Sequence, residues 1–378
     1  MDLQPLPPEP KPRLDSEMVS LISEADKQLN YLDGILSIFP ETHYLPTILT
    51  VIEAINSNKV DNEELSPRDF FCESLNENSE RVNKILNYTA ALSVGKKLIK
   101  NVSSSSHIIK SVYKELKTGA DSGEYRKTQI WVGQQKDNLV DARYIPPSHD
   151  EVPTLMNDLE NYVASDISYP VVVNAALIHA QFEMIHPFSE RNGLVGRILF
   201  VLHLLWKKKL NLPGLQISSQ LFKNKLEYFD HLENLERTKN WEAWIKFFVR
   251  TVSSATQSTL ELIKRIVAIE ERDYQKIVGK EFASSFSLRL FELMLRQPAL
   301  TIPFITKELG FNKQTANILI KKFLDENILE ETTGKQRNRI FVYNDYLNRL
   351  CELDYDNKKM RAKVIVQKFI SENHKKSV

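Results

Sequence analysis

Apolar residues recur at three- and four-residue spacing along most of this chain, and few glycines or prolines interrupt them. Such spacing places apolar side chains on one face of a helix, as around Val19 to Ile22 and around Val82 to Leu86. A chain that turned between many short strands would need glycine and proline more often. The sequence therefore predicts a mainly α fold with a helical core.

Composition limits the classes of protein to consider. The 378 residues suffice for two or three domains, and the net charge of +1 gives no overall basic field for nucleic acid. Cys72 and Cys351 are far apart, which favours a reducing compartment over a disulfide scaffold. No apolar run reaches the roughly 20 residues of a membrane span, and the proline-rich residues 1–12 lack the features of a signal peptide. We expect a cytoplasmic protein.

The pattern divides the chain into four regions. They are an N-terminal helical region with a candidate inhibitory helix (1–100), a central core (101–255), a linker helix (256–283) and a small C-terminal domain (284–378). Within the core and linker, helices are predicted over 151–164, 170–185, 192–208, 220–237 and 241–267.

One stretch of the core has strand periodicity. Thr128, Ile130 and Val132 alternate with Gln129, Trp131 and Gly133. The polar residues 134–141 favour a turn, and residues 142–145 can return antiparallel before Pro146 and Pro147 end the segment. We predict a single β-hairpin here.

The C-terminal region has the pattern of a winged helix. A helix over 287–295 precedes two helices, 301–311 and 312–324, joined by a short turn that contains glycine, as in a helix-turn-helix. Residues 328–331 and 339–343 then form a predicted strand pair. Polar and basic side chains mark the second helix and the wing: Lys313, Gln314, Asn317, Lys321, Lys322, Lys335, Arg337 and Arg339. Contact with DNA phosphates and binding or dimerisation between proteins both remain open for this domain.

The segment from His186 to Arg197 carries the chemistry of the chain. His186 precedes a proline at the end of an apolar helix, and Asn192-Gly193 opens the next helix, whose free amide groups favour an anion. Arg197 can reach the same anion, Glu190 can hold a divalent cation, and His186 is then available as a general base. Taken singly, each is an ordinary turn or surface residue; together they predict phosphoryl or nucleotidyl transfer.

This segment resembles the active-site motif of the Fic family, H-P-F-x-[D/E]-G-N-G-R-x-x-R, whose members transfer AMP from ATP to protein hydroxyls. Further segments between residues 5 and 255 are similar to the family: 123–147, 151–159, 179–188 and 240–248. The resemblance implies a helical core with one hairpin, ATP as substrate and Mg²⁺ as cofactor. The partner would be a protein target or the chain itself, with a homodimer suggested only by analogy.

The resemblance implies roles for the matching residues. His186 corresponds to the general base, Glu190 to the metal-binding acid and Arg197 to the second arginine, which holds the γ-phosphate. Asn192 and Gly193 correspond to residues that contact phosphates. The hairpin corresponds to the flap that docks a target peptide by strand addition, although it is otherwise a plain structural hairpin. The flap residues are Gln129, Ile130, Trp131, Val132 and Gly133.

Two positions depart from the motif. Arg191 stands where the family has glycine, which lets backbone approach phosphate closely. Leu194 stands where the family has its first arginine, and a charge-assisted hydrogen bond of that kind is worth about 1.5–3 kcal/mol. Arg191 can restore the charge from a neighbouring position but brings backbone strain and bulk. We expect weakened or altered activity.

A second segment resembles the inhibitory motif of many Fic proteins, [S/T]-x-x-x-E-[G/N]. In that motif the glutamate pairs with the second arginine. Ser57, Asp61 and Asn62 match it here, with aspartate, one methylene shorter, in place of glutamate, so that the pair would join Asp61 and Arg197. The alternative is an ordinary polar helix end with Asn62 as a stop signal. The chain is thus predicted to be a protein adenylyltransferase, or alternatively a catalytically impaired Fic core that senses nucleotides within a DNA-binding transcriptional regulator.

Overall fold

The structure, a computed structural model, describes residues 3–40, 42–76, 79–101, 105–117, 123–133, 143–165, 169–279, 283–335 and 337–351. Its mainly α fold agrees with the prediction. Two compact units form, one from residues 1–63 and 83–260 and one from residues 64–82 and 261–378. In the part of the chain that is described, no helix combines the length and apolar character of a membrane span.

The elements are given in chain order. The helices are α1 Ser16–Leu36, α2 Tyr44–Val60, α3 Pro67–Glu73, α4 Glu80–Leu98, α5 Ser105–Leu116, α6 Val152–Ala164, α7 Val171–Ile185, α8 Asn192–Trp206, α9 Ile217–Lys223, α10 Lys225–Thr238, α11 Trp241–Val278, α12 Ser285–Arg296, α13 Ile302–Leu309 and α14 Lys313–Asp325. The strands are β1 Ala299–Leu300, β2 Glu330–Glu331 and β3 Phe341–Val342.

Two predicted helices are corrected by the structure. The helix expected over 220–237 is two helices, α9 and α10, because Asn224 adopts φ −108° and ψ 34° between them. The helix expected to end at Val267 continues as α11 to Val278.

The first unit is held together by the close packing of α7 on α8. Nearly every residue of these two helices is buried. Gly196 of α8 permits their approach, because a Cβ at this position would lie 2.3 Å from Glu183 Oε1 and 3.2 Å from the Phe182 ring. The turn between α7 and α8, residues 186–191, is therefore fixed from both sides by buried helices.

The predicted hairpin appears among the described residues as one antiparallel bridge between Val132 and Tyr144. Their backbone N–H groups donate to each other's carbonyl oxygens at 2.8 and 3.1 Å. Residues 134–142, which include the predicted turn at 134–141, lie outside the described residues. Over the described part of this segment the backbone forms this isolated bridge and does not extend it into a strand.

The second unit contains α3 and the elements from α12 onward. Its sheet has the order β1-β3-β2, with both pairs antiparallel, so that Phe341 lies between Leu300 and Glu331. The strand β1 was absent from the sequence prediction. The segment 64–82 belongs to this unit, and Gln297 Nε2 donates to the carbonyl of Phe71 in α3 at 2.8 Å.

Candidate active site

His186 is held as a neutral base at the end of α7. It adopts the left-handed conformation, φ 50° and ψ 60°, which stops the helix and turns the chain toward Pro187. Its ring Nδ1 lies 3.1 Å from the carbonyl oxygen of Glu183. Because a carbonyl only accepts, Nδ1 carries the proton and Nε2 keeps its lone pair. Burial lowers the pKa of His186 to about 4, against the effect of this hydrogen bond, so the ring is neutral at pH 7.

Arg126 fixes the turn that carries His186. Its Nε donates to the carbonyl of His186 at 2.9 Å, and its backbone N–H donates to the carbonyl of Pro187 at 2.9 Å. A third bond runs from its guanidinium to the carbonyl of Pro147. Nothing in the local sequence marks Arg126, because its contact with His186 joins residues 60 positions apart. Arg126 therefore ties the base of the predicted flap to the histidine.

The Asn192 side chain closes the same turn. Its Nδ2 donates to the carbonyl of Phe188 and its Oδ1 accepts from the Phe188 N–H, both at 2.8 Å. The Phe188 ring stacks on Tyr113 with centroids 3.8 Å apart. Both amide atoms of the Asn192 side chain are thus used within the turn.

The N-terminus of α8 is available to an anion. Among the described residues no side chain caps this end of the helix, so its first N–H groups lack the partners that a cap would give. Gly193 leaves room for the Arg197–Asp61 pair, because a Cβ there would lie 2.8 Å from Arg197 Nη1 and 3.0 Å from Asp61 Oδ1. Unpaired N–H groups and the helix dipole favour a phosphate at this position.

Arg197 is buried and paired with the end of α2. Its guanidinium donates to the Ser57 hydroxyl at 2.7 Å, to the Ser57 carbonyl at 3.0 Å and to Asp61 Oδ1 at 2.9 Å. Arg197 is 1% exposed, whereas the Asp61 side chain is 32% exposed. Burial by itself would lower the pKa of Arg197, but acidic neighbours, Asp61 foremost, raise it above its usual range. The predicted inhibitory segment and the second arginine of the motif therefore form an ion pair.

The end of α2 also has the geometry of a helix stop. Asn62 takes a left-handed φ of 70°, and its N–H donates to the carbonyl of Lys59 at 3.1 Å. The Glu63 N–H donates back to the carbonyl of Asn58 at 3.0 Å, which completes a Schellman motif. The segment therefore ends α2 as the helix-stop interpretation expects, and it also places Asp61 2.9 Å from Arg197; inhibition by Asp61 stays a prediction.

The two departures from the motif have different structural consequences. Arg191 keeps the left-handed turn that glycine would adopt without strain, with φ 60° and ψ 18°, and its guanidinium donates to the carbonyl of Leu116. Leu194 is 4% exposed and packs into the core. The turn is therefore preserved, whereas the position of the first arginine offers no charge to a phosphate.

Glu190 lies at the surface beside a lysine. Its Oε1 is 2.9 Å from Lys117 Nζ, and its side chain is 55% exposed. In the described part of the chain no group of three histidine, cysteine or acidic residues could hold a metal by itself. Mg²⁺ usually binds one or two carboxylates together with substrate phosphates, so Glu190 fits a metal that arrives with a nucleotide once Lys117 moves aside.

The predicted flap residues occupy the edge of this site. Gln129 donates to the carbonyl of Pro146 at 2.9 Å, Val132 forms the bridge described above, and Trp131 is 47% exposed. Ile130 is half-buried, and Gly133 is exposed. Val132 also borders a small cavity of about 80 Å³ whose wall includes His186.

Glu183 is a second residue of the site that lies outside the motif from His186 to Arg197. Its Oε1 is buried and, among the described residues, has no hydrogen-bond partner. Burial raises the pKa of this carboxyl to about 7, although the charge of Arg197 opposes the shift. Its position one helical turn before His186 was the available signal. Glu183 lines the same 80 Å³ cavity as His186.

Together these features define a helical protein in which a neutral histidine lies beside an uncapped helix N-terminus and a buried arginine. The sequence of this part of the chain matches known protein families. Residues 102–204 match the model of the Fic/DOC family, and residues 19–97 match that of the Fic/DOC family N-terminal region. Over these residues the chain is similar to the Fic/DOC family.

Individual relatives agree with this assignment. The chain is 30% identical over 144 residues to the "Protein adenylyltransferase Fic" of Culex quinquefasciatus, which is 38% of this chain and 25% of that protein. It is 32% identical over 106 residues to the "Probable protein adenylyltransferase aq_aa38" of Aquifex aeolicus, 28% of this chain and 31% of that protein. This chain therefore spans between a quarter and a third of the length of these relatives.

The fold is shared with a solved structure. A Fic family protein from Desulfovibrio desulfuricans G20 superposes with a TM-score of 0.57 over 88% of this chain and 97% of its own. The two are 15% identical, so the likeness concerns the fold alone.

Proposed function

We propose that this chain is a protein adenylyltransferase, with ATP as substrate and a protein hydroxyl as acceptor, held at low activity by its own residues. The observation that carries the proposal is the pairing of a neutral His186, with its Nε2 lone pair unused by Glu183, with an uncapped α8 N-terminus. The relatives named as protein adenylyltransferases support the same reaction for this chain.

In the proposed reaction the acceptor hydroxyl attacks the α-phosphorus of ATP and pyrophosphate leaves. His186 Nε2 takes the hydroxyl proton as the new O–P bond forms. The N–H groups of Asn192 and Gly193 bind phosphate oxygens, and Arg197 holds the γ-phosphate. Glu190 would hold Mg²⁺, which supplies charge neutralisation at the phosphates when bound. The acceptor side chain would enter the 80 Å³ cavity beside His186, alongside the flap.

Two features keep this activity low. Asp61 occupies the guanidinium of Arg197 that the γ-phosphate would need. Leu194 stands in place of the first arginine and offers no charge to the phosphates, and Arg191 stands where the family has glycine. The first restraint is an ion pair that a competing phosphate can open, whereas the second is built into the sequence. We therefore propose a transferase whose activity is weakened by the departures from the motif and lowered further by the Asp61–Arg197 ion pair.

The test is transfer of label from α-³²P-ATP by the full chain. Asp61→Ala is expected to label its own chain or added protein more strongly than the parent chain does. Asp61→Ala combined with His186→Ala is expected to lose the label, whereas Asp61→Ala combined with His149→Ala, which changes a histidine outside the site, is expected to retain it. Absence of label from Asp61→Ala, or its persistence without His186, contradicts the proposal.

We infer a second function for the C-terminal elements, which follow the order of a winged helix: α12, β1, α13, α14, then β2 and β3. Polar side chains form one exposed face of α14, and basic side chains are exposed between the last two strands. The exposed residues are Lys313, Gln314, Asn317, Lys321, Lys335, Arg337 and Arg339, with Lys322 half-buried. Such a face fits the phosphates of duplex DNA.

DNA binding is tested by titrating a fluorescent duplex of random sequence at several salt concentrations. Lys313→Ala combined with Lys321→Ala is expected to weaken binding and to lower the salt slope by about 0.9 for each phosphate that is no longer neutralised. Lys264→Ala, an exposed lysine of α11, serves as the matched control. Unchanged binding in the double variant, or no binding at low salt, excludes this surface as a DNA interface. DNA binding together with no labelling would favour a nucleotide-sensing regulator over the enzyme.

A further inference from the structure

The exposed face of α14 carries a large apolar side chain among polar ones. Ile318 is 50% exposed in the middle of this helix, whereas the apolar residues that pack α14 into the second unit, such as Leu319 and Phe323, are buried. Its exposed neighbours at helical spacing are Lys313, Gln314, Asn317 and Lys321. Packing within the second unit therefore does not account for an isoleucine at this position.

An unpaired amide side chain lies next to this isoleucine. Gln314 is exposed, and among the described residues its side chain makes no hydrogen bond. Asn317 differs, because its Nδ2 donates to the carbonyl of Lys313 at 2.7 Å within the helix. Gln314 precedes Ile318 by four residues, a spacing at which two side chains are neighbours on a helix surface. The face thus presents a free amide beside an apolar group.

The charges on this face favour a polyanionic partner. Lys313 and Lys321 are exposed on α14, one before and one after Ile318. Further basic residues are exposed between β2 and β3: Lys335, Arg337 and Arg339. The exposed carboxylate of Asp325 lies at the C-terminal end of α14. The part of the helix from Lys313 to Lys321 is therefore the part that fits a polyanion.

Duplex DNA fits this face better than a second protein does. Contact between proteins depends on clusters of aromatic or aliphatic anchors in a well-packed interface core. Ile318 is the one exposed large apolar residue of α14, a helix that the structure describes in full. In the major groove the apolar group is also small and isolated, because thymine presents one methyl group among hydrogen-bond donors and acceptors.

We propose that α14 recognises A·T base pairs in the major groove, with Gln314 bound to adenine and Ile318 against the methyl group of thymine. This inference rests on the DNA binding proposed above and adds a sequence preference to it. Glutamine forms two hydrogen bonds with N6 and N7 of adenine, and an apolar side chain contacts the thymine methyl. Four residues of helix span about 6 Å and base pairs are spaced about 3.4 Å apart, so the two contacts lie within about two base pairs of each other.

The test begins by enriching duplexes that bind the full chain from a library with a random central segment. The enriched duplexes are expected to share A·T base pairs within two positions of each other. In one of them, uracil then replaces the thymine, which removes only the methyl group, and in another copy 7-deazaadenine replaces the adenine, which removes only N7. By fluorescence titration we expect the first change to weaken binding about fourfold and the second about tenfold.

Two variants assign these effects to residues. Ile318→Ala should bind the thymine and uracil duplexes alike and keep the effect of 7-deazaadenine, whereas Gln314→Ala should show the reverse. Both side chains are exposed, so both variants are expected to fold. Leu226→Ala, which changes a 62% exposed apolar residue of α10 in the first unit, is the matched control and should behave as the parent chain does.

The outcomes separate this inference from the DNA binding on which it rests. If no duplex binds even at low salt, the DNA-binding function is wrong and the inference with it. If duplexes bind but the enriched ones share no A·T pairs, or if the parent chain binds the thymine and uracil duplexes equally, only the sequence preference is overturned. It is also overturned if Ile318→Ala lowers self-association in sedimentation and leaves the thymine–uracil difference intact, because α14 would then bind protein through this residue.

Discussion

Replacing Asp61 with alanine removes an ion pair whose strength can be bounded from the structure. Breaking a fully buried pair costs about 3–5 kcal/mol, whereas an exposed pair is worth about 0–1 kcal/mol. Here Arg197 is 1% exposed and Asp61 32% exposed, and Arg197 keeps both of its bonds to Ser57. We therefore expect Asp61→Ala to lower the free energy of unfolding by about 1–2 kcal/mol, between the two limits.

The same free energy should reappear in ATP affinity. If the γ-phosphate takes the place of Asp61 on Arg197, ATP binding to the parent chain has to break the ion pair first. In Asp61→Ala that cost is absent. Because 1.4 kcal/mol corresponds to a factor of ten, we expect ATP to bind about 5- to 30-fold more tightly to the variant. The decrease in stability and the increase in affinity should be similar in size.

The assay pairs urea unfolding with calorimetric titration of a non-hydrolysable ATP analogue. Asp61→Asn keeps the size of the side chain but not its charge, and it should give most of the affinity increase. Glu63→Ala is the matched control, because it removes an ion pair with Lys84 at 2.5 Å two residues further along the chain. It should leave ATP affinity unchanged.

Two outcomes would contradict this role of Asp61. If Asp61→Ala destabilises the fold while ATP affinity stays within twofold of the parent value, the ion pair is structural and does not compete with nucleotide. If the affinity for AMP rises as much as that for ATP, the competing group is not the γ-phosphate.

Three further predictions concern single residues. Arg191→Gly should be more stable to urea than Arg191→Ala by about 1 kcal/mol, because only glycine adopts φ 60° without strain; equal stabilities would exclude strain at this turn. Gly193→Ala should weaken ATP binding at least tenfold, because its Cβ would lie 2.8 Å from Arg197 Nη1; unchanged affinity by calorimetry would show that the guanidinium moves freely. Burial, with Lys207, lowers the pKa of His203 from 6.5 to about 4. Between these pH values the unfolded chain binds a proton at this residue and the folded chain does not, so the free energy of unfolding falls as the pH is lowered. Between pH 6.5 and 4 the free energy of unfolding, measured with urea, should fall by about 3 kcal/mol less in His203→Phe than in the parent chain. An unchanged pH dependence in the variant would contradict the shift in the pKa of His203.

The helices were predictable because their cause is local. Apolar spacing and the turn residues between helices lie in the sequence itself, and α7 and α8 begin and end within two residues of their predicted bounds. The break at Asn224 was not predictable, because apolar spacing continues across it. The grouping of residues 64–82 with the C-terminal unit depends on contacts more than 200 residues apart, such as that between Gln297 and Phe71.

Most residues of the candidate site were predictable from the sequence, but several of the contacts between them were not. The resemblance brought Arg197 and Asp61 together, and the structure places them 2.9 Å apart. It gave no account of Arg126, which holds the histidine turn from a distant segment. Nor did it show that the Asn192 side chain bonds to Phe188, since an amide can bind either a phosphate or a backbone.

The departures from the motif affect two properties of the site differently: the position of the histidine and the binding of phosphates. The position of His186 depends on the turn, and the turn survives without glycine because Arg191 accepts the left-handed conformation and bonds to Leu116. In the proposed reaction the binding of the phosphates depends on charge, but the chain has leucine at position 194, and Arg197 is already paired with Asp61. If the general base is intact and the phosphate site is weakened, ATP binding rather than proton removal should limit the rate of transfer. Saturating ATP should therefore recover much of the difference between the parent chain and Asp61→Ala, whereas no ATP concentration should recover activity in His186→Ala. If saturating ATP leaves the difference unchanged, Asp61 acts on the chemical step instead.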